Sequence, residues 1–309
     1  MKSRLFLPLA LILIPFSCLA AAYRYEIREG GFWVHNGTAY FNRPLFGTHE
    51  PSMLLSGDRP AFAYIDPTSA GKFGTLYIGL VTKNGGKWLD HFTGADSFYE
   101  PGLTRHVVED PQVTTGSLEV TAVPLSSGEG FAIGLRWIKP PVERVRLVWA
   151  FGAASGYTAN YNFLIDKLQL SADDAAGNIV HIWGNRFSLK SPLPKGRNIW
   201  GTCDLPGQLA LKDTEEVIHG PAEALRAAPS KTPVIVFSGD WSRAQSPVHL
   251  LFTMAGAETL EEIAAHPAQT FEQSLRFYRT LAERVQVKTP DPYFDLDVKA
   301  MVIANDGVW

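Results

Sequence analysis

Cysteine is scarce in this chain, with two residues, Cys18 and Cys203, among 309. If Cys18 leaves with an N-terminal leader, Cys203 has no partner and no internal disulfide is available. An excess of one charge sign is also missing: 28 Lys and Arg face 31 Asp and Glu, a net of −3. A basic face of the kind nucleic acid demands is therefore absent, and nucleic acid is excluded as a partner. Beyond residue 22 no apolar run is long enough to span a bilayer. There is no repeat of fixed period, and no helical period separates one strand-like segment from the next, which argues against βαβ units. Charged residues make up only 19% and apolar residues 46%. That is a folding composition, large enough in apolar content to build a core without disulfides.

What is present begins with an address. Lys2 and Arg4 precede the apolar run Leu5 to Phe16, followed by Ser17-Cys18-Leu19-Ala20-Ala21-Ala22. This charged, apolar and small-residue order is that of a secretory signal over residues 1–22, with Ala20-x-Ala22 as the cleavage site. A periplasmic or extracellular location follows as the expectation. Acylation of Cys18 is the less favoured alternative, because Pro15 stands where lipoprotein signals use an aliphatic residue. Cys203 reads as a small buried side chain rather than a nucleophile.

Short segments rich in β-branched and aromatic residues then recur between Gly, Pro, Asn, Asp and Ser clusters. They are Tyr23 to Ile27, Phe32 to His35, Thr38 to Phe41, Ala61 to Ile65, Thr75 to Val81, Thr104 to Val108 and Ser117 to Val123. Phe131 to Ile138, Arg144 to Phe151, Leu164 to Leu170, Ile179 to Trp183, Val234 to Ser238 and Val248 to Met254 continue the series. Asn36-Gly37 reads as a type I′ hairpin turn between the second and third. The stretch from Ser188 to Ala228, with four prolines, reads as long loops. The expected fold class is mainly β, a large antiparallel β-sandwich over residues 23–256.

Helical pattern appears only afterwards. Thr259 with Glu262 and Thr270 with Gln273 have capping-box spacing. Pro267 closes the first helix, and Phe271, Leu275, Tyr278, Ala282 and Val285 form one apolar stripe on the second. Residues 257–290 thus read as a helical linker. Asp291 caps and Pro292 opens a last helix from about Tyr293 to Asn305, stopped at Gly307. It carries Phe294, Val298 and Met301 on one side and Leu296 and Ile303 on another, so it wants neighbours on more than one face. Residues 291–309 therefore read as the first helix of a further domain, with docking back onto the sandwich as the alternative.

Several short motifs resemble an uncharacterised family of secreted bacterial proteins. They are Asn42-Arg43-Pro44-Leu45-Phe46-Gly47, Gly57-Asp58-Arg59-Pro60, Lys87-Trp88-Leu89-Asp90, Tyr99-Glu100-Pro101-Gly102, Glu109-Asp110-Pro111, Phe151-Gly152-Ala153-Ala154-Ser155-Gly156 and Pro290-Asp291-Pro292-Tyr293-Phe294. In that family a β-sandwich, here supersandwich-like, precedes an (α/α)6 barrel of the six-hairpin glycosidase kind. The resemblance implies carbohydrate as a partner, the chain's own helical barrel as another if the full chain exists, and catalytic carboxylates in that barrel, after position 309. On this reading the chain is the non-catalytic N-terminal domain of an exported glycoside hydrolase. The alternative is a stand-alone carbohydrate-binding or adhesion module.

Glycoside cleavage needs two carboxyl groups facing one bond, one of them protonated. The nearest approach to such a constellation is the segment Asn84 to His91, with Asp96, Glu100, Glu109 and Asp110 further on. Trp88 offers a ring face for stacking on sugar, and Asp90 and His91 offer hydrogen bonds to hydroxyls. Arg43, with Thr48, His49 and Glu50, forms a second polar cluster. These make Trp88, Asp90, His91 and Arg43 the candidate substrate-binding residues, each with a structural role in the fold as the alternative. His49-Glu50 lacks the second His of a zinc-protease helix, since Met53 stands there. His91 and His106, with Arg105 beside the latter, lack a third ligand. No metal or other cofactor is expected.

Overall fold

Alternating apolar and polar residues between frequent turn formers give short extended segments that bury one face each. A computed structural model describes residues 24–47, 53–66, 71–155, 168–192 and 197–308. In chain order the strands are β1 (Glu26–Arg28), β2 (Gly31–His35), β3 (Arg43–Phe46), β4 (Met53–Ser56), β5 (Ala61–Asp66) and β6 (Gly71–Thr82). Then come β7 (Gly85–Trp88), β8 (Gly94–Glu100), β9 (Leu103–Glu109), β10 (Ser117–Pro124), β11 (Gly130–Lys139) and β12 (Val145–Gly152). The last six are β13 (Ile179–Trp183), β14 (Arg186–Lys190), β15 (Asn198–Cys203), β16 (Gln208–Asp213), β17 (Pro233–Trp241) and β18 (Val248–Thr253).

All pairings between these strands are antiparallel and form two sheets. One has ten strands in the order β1-β2-β8-β9-β10-β11-β18-β15-β14-β13. The other runs β16-β17-β12-β6-β5-β4-β3, with β7 paired to β6. Their facing sides enclose one apolar core. Within it Trp149 stacks on Phe237 (centroids 5.4 Å apart) and Phe131 on Phe252 (4.4 Å). The fold is thus a mainly antiparallel β-sandwich followed by helices.

Helices cover both outer faces. The short α1 (Ala172–Ala175), α2 (Thr214–Val217) and α3 (Pro221–Arg226) lie over β6, β12 and β17 around Trp88. The longer α4 (Ala257–Ala265), α5 (Pro267–Ala282) and α6 (Pro292–Val308) follow the last strand. Leu260, Phe271, Leu275, Tyr278 and Ile303 from these three pack with Leu103, Val123, Ala132 and Leu251 on the outer face of the ten-stranded sheet. No helix among the described residues is long and apolar enough to cross a membrane.

Several sequence expectations need correction. The type I′ turn sits one hairpin earlier: Arg28 pairs with Gly31, and Glu29 and Gly30 take the two positive φ values, 50° and 77°. At Asn36-Gly37 only Asn36 has positive φ, and Thr38 to Phe41 forms no strand; β2 instead pairs with β8. The segment read as long loops contains β15, β16, α2 and α3. Gln208 to Lys212 are all helix formers, and pairing of Gln208–Asp213 with β17 overrides that preference. In the expected strand Leu164 to Leu170, residues 164–167 lie outside the described residues, and Leu168 to Leu170 is not extended into a strand. Pro267 opens α5 as its first residue rather than only closing α4. Gly307 lies inside α6, where a Cβ would come within 2.7 Å of Phe46, so it marks close approach to β3 and not a stop.

The seat of α5 depends on Gly134 of β11. A Cβ there would stand 2.5 Å from the Phe271 ring tip. Gly134→Ala is expected to cost about 1–3 kcal/mol by overpacking, read as a lowered urea midpoint. Combining it with Phe271→Leu should recover part of that loss, giving a non-additive double-mutant cycle.

Candidate functional site

Pleating sends alternate residues of the ten-stranded sheet away from the core, and where the helices stop short these outward residues line a groove. Register brings one row into line across five strands. Phe98 of β8 pairs with Arg105 of β9, Arg105 with Thr121 of β10, Thr121 with Gly134 of β11, and Gly134 with His249 of β18. The next row pairs Glu119 with Arg136. One wall is α5, through Phe271, Glu272, Leu275 and Arg279; Glu29, Glu100 and Pro247 complete the rim. The groove holds about 670 Å³.

Its electrostatics centre on Arg105. The guanidinium lies over the Phe98 ring at 3.9 Å. It donates to Glu29 at 2.6 Å and to Glu100 at 3.2 Å, with Glu119 4.0 Å away. Arg136 donates to Glu119 at 2.9 Å, and Arg279 reaches Glu100 at 3.5 Å. His249 borders the same space. Its Nδ1 is 2.7 Å from the Asp204 carboxylate, an obligate acceptor, so Nδ1 carries the proton and Nε2 is the ring's open position. The Phe271 ring lies 5.3 Å from the imidazole, centroid to centroid. This combination of planar charged groups, an imidazole and an aromatic wall suits recognition of a polar ligand.

The residues singled out from sequence lie elsewhere. Trp88 is 1% exposed and donates its Nε1 proton to the Val217 carbonyl at 3.2 Å, beneath α2 and α3. An indole so enclosed offers no face to a sugar ring, so the stacking expectation is not met there. Asp90 is 5% exposed, with the Tyr40 hydroxyl 3.4 Å from Oδ2 and no partner for Oδ1. Burial pushes its carboxyl above the ordinary range, against the pull of the adjacent His91. His91 is exposed, its Nε2 3.5 Å from Asp90. Arg43 makes its contacts in a different place, with its guanidinium over the rings of Tyr25 (4.3 Å) and Tyr99 (5.7 Å). Thr48, His49 and Glu50 lie outside the described residues. Of the carboxylates noted further along the chain, Glu100 does reach the groove. Phe271 and Leu275 reach the groove from the apolar stripe read in the sequence; the other groove residues carried no motif.

His106 and Cys203 are occupied structurally. Cys203 is buried, and burial pushes its thiol up to about 12, which leaves it protonated. His106 is fully buried between the sheets and linked to Ser97 Oγ (2.9 Å) and Ser56 Oγ (3.3 Å). Ser97 donates its proton to the Asp58 carbonyl, so it accepts from Nδ1–H; Nε2 then accepts from Ser56, which accepts from Thr104. Among the described residues no group of three or more His, Cys, Asp or Glu is arranged for a metal ion.

The class defined so far is a two-sheet antiparallel sandwich whose outer face carries an ion-paired groove beside a docked helix. The chain belongs to a family described as a domain of unknown function (DUF4450), matched over residues 70–273. It is similar in structure to a bacterial glucoamylase solved in complex with acarbose, with 10% identity and a TM-score of 0.47. That alignment covers 93% of this chain and 39% of the glucoamylase, so the chain spans well under half of that protein's length. No curated protein matches the chain.

Burial holds His106 neutral by lowering its pKa from 6.5 to about 3. An unfolded chain takes up this proton first, so the stability His106 contributes is complete above pH 6.5 and is lost as pH falls toward 3. Between pH 6.5 and 4 the loss from this one group is about 3 kcal/mol. His106→Asn is expected to be less stable than wild type at pH 7 yet to lose that much less on acidification, as measured by urea unfolding at both pH values.

Proposed function

We propose that this chain is the accessory β-sandwich of an exported protein that acts on poly- or oligosaccharides, the non-catalytic domain of a glycoside hydrolase. Its groove contacts carbohydrate, and α6 seats a helical barrel domain. The observation that carries this reading is the uncovered flank of α6. Leu296 and Ile303 are buried, whereas Phe294 is 52% exposed and Met301 60%. With half-buried Val298 between them, Phe294 and Met301 make a stripe at four- and three-residue spacing. A helix apolar on two flanks is stabilised by neighbours on both.

A non-catalytic role is supported by how the groove's carboxylates are held. Cleavage of a glycosidic bond uses one protonated and one ionised carboxyl flanking it. Glu100 and Glu119 instead face the same guanidinium, that of Arg105. A second reading, a stand-alone carbohydrate-binding module, is favoured by the groove being built entirely from this chain's own sheet and α5.

The purified chain is expected to release no sugar from any oligosaccharide in a broad hydrolysis screen, while a longer protein read through the same coding frame does so. Turnover by the chain alone overturns the non-catalytic assignment. A stop codon directly after Trp309 transfers the case to the stand-alone module.

A further inference from the structure

We infer that the groove selects neutral polyhydroxylated ligands over acidic ones, with Glu119 as the residue that sets this selectivity; the inference rests on the carbohydrate reading above. Its basis is the charge inventory of the lining. Three guanidiniums, Arg105, Arg136 and Arg279, each have a carboxylate within 4.0 Å. Four carboxylates line the same space, so negative groups outnumber positive ones there.

An acidic sugar entering this groove meets no uncommitted cation. To gain a charge-assisted bond it must displace Glu119 or Glu100 from a guanidinium and leave that carboxylate beside its own. A neutral polyol faces no such exchange. Its hydroxyls donate to the free lone pairs of the paired carboxylates and accept from the guanidinium N–H groups not already used. His249 adds a polar contact at Nε2, because Asp204 occupies Nδ1. The Phe271 ring, 7% exposed beside the imidazole, closes the apolar end of the groove and confines the ligand to the polar lining.

Glu119 occupies the pivotal position. It holds Arg136 at 2.9 Å and stands 4.0 Å from Arg105, so neutralising it frees Arg136 toward the groove and lightens the negative charge beside Arg105, which keeps Glu29 and Glu100.

The test uses the purified chain on an array carrying neutral oligosaccharides and uronic-acid oligosaccharides of matched length, with calorimetry on the sugars retained. Wild type is expected to favour the neutral series by about tenfold or more. Glu119→Gln should shift the neutral-to-acidic ratio toward acid by a similar factor, and Arg136→Gln should shift it the opposite way. The opposed directions keep the test decisive even if one variant fails to fold, as checked by thermal melting. A wild-type preference for uronic acids overturns the charge inference and leaves the carbohydrate reading standing. Unchanged neutral binding in both variants and in His249→Gln means that sugar binds elsewhere, which overturns the site. If folded wild type retains no glycan of either series, the sugar-contact part of the broader reading falls as well.

Discussion

Burial of aromatic rings between the two sheets is the constraint from which the rest of this structure follows. Phe252, stacked on Phe131 of the neighbouring strand at 4.4 Å, meets Phe151 at 4.9 Å and Trp149 at 6.3 Å from the other sheet. Once those side chains point inward, pleating leaves no choice for their neighbours. Ala132, Gly134 and Arg136 must face out on β11, and His249 and Leu251 on β18. A slip of one residue would bury Arg136 and expose Phe131. The groove therefore needs no device of its own to be assembled, since its floor is the reverse side of the core.

The outward face is divided by what lies on it. Where outward residues are apolar, as at Leu103, Val123, Ala132 and Leu251, the helices dock; where they are polar or charged, the groove stays open. Gly134 lies at the boundary, with space above it taken by Phe271, so one side chain both anchors α5 and walls the groove. Between the sheets a polar link does comparable work. Ser56 belongs to β4 of the smaller sheet, and His106 and Ser97 belong to the larger one, so their hydrogen bonds pin the two layers at one position. An apolar core tolerates sliding better than a chain of directional bonds does, and the neutral imidazole has its donor and acceptor sides both engaged.

The architecture was legible in the sequence because two-residue periodicity is a consequence of burial, and burial dominates here. Ile179 to Trp183 reads as a strand and is one, to the residue. Legibility failed where non-local pairing outweighed local preference. Gln208–Asp213 becomes a strand only because β17 offers a ladder, and Asn36-Gly37 loses its hairpin because Asn36 bonds to Ala95 across the sheet. The site was harder to read for a related reason. Trp88 and Asp90 looked functional as a local cluster of chemical types, yet position beneath α2 and α3 makes them interior. Arg105, Glu119, Arg136 and His249 are dispersed over 145 positions of sequence and meet only through strand register, which no local motif records.

Groups that recognise a ligand and groups that transform one are prepared in opposite ways. A general acid must be poised to give up a proton, which calls for an environment that sets two carboxyls apart. In this groove the carboxylates are instead tied together through shared guanidiniums, each geometry reinforced by the next. Such a network presents a fixed pattern of donors and acceptors. A fixed pattern of that kind is useful for orienting a polar chain along a surface. On the reading proposed above, chemistry on that chain would fall to groups held differently, and the uncovered flank of α6, on the same side of the sandwich as the groove's helical wall, would seat the domain carrying them.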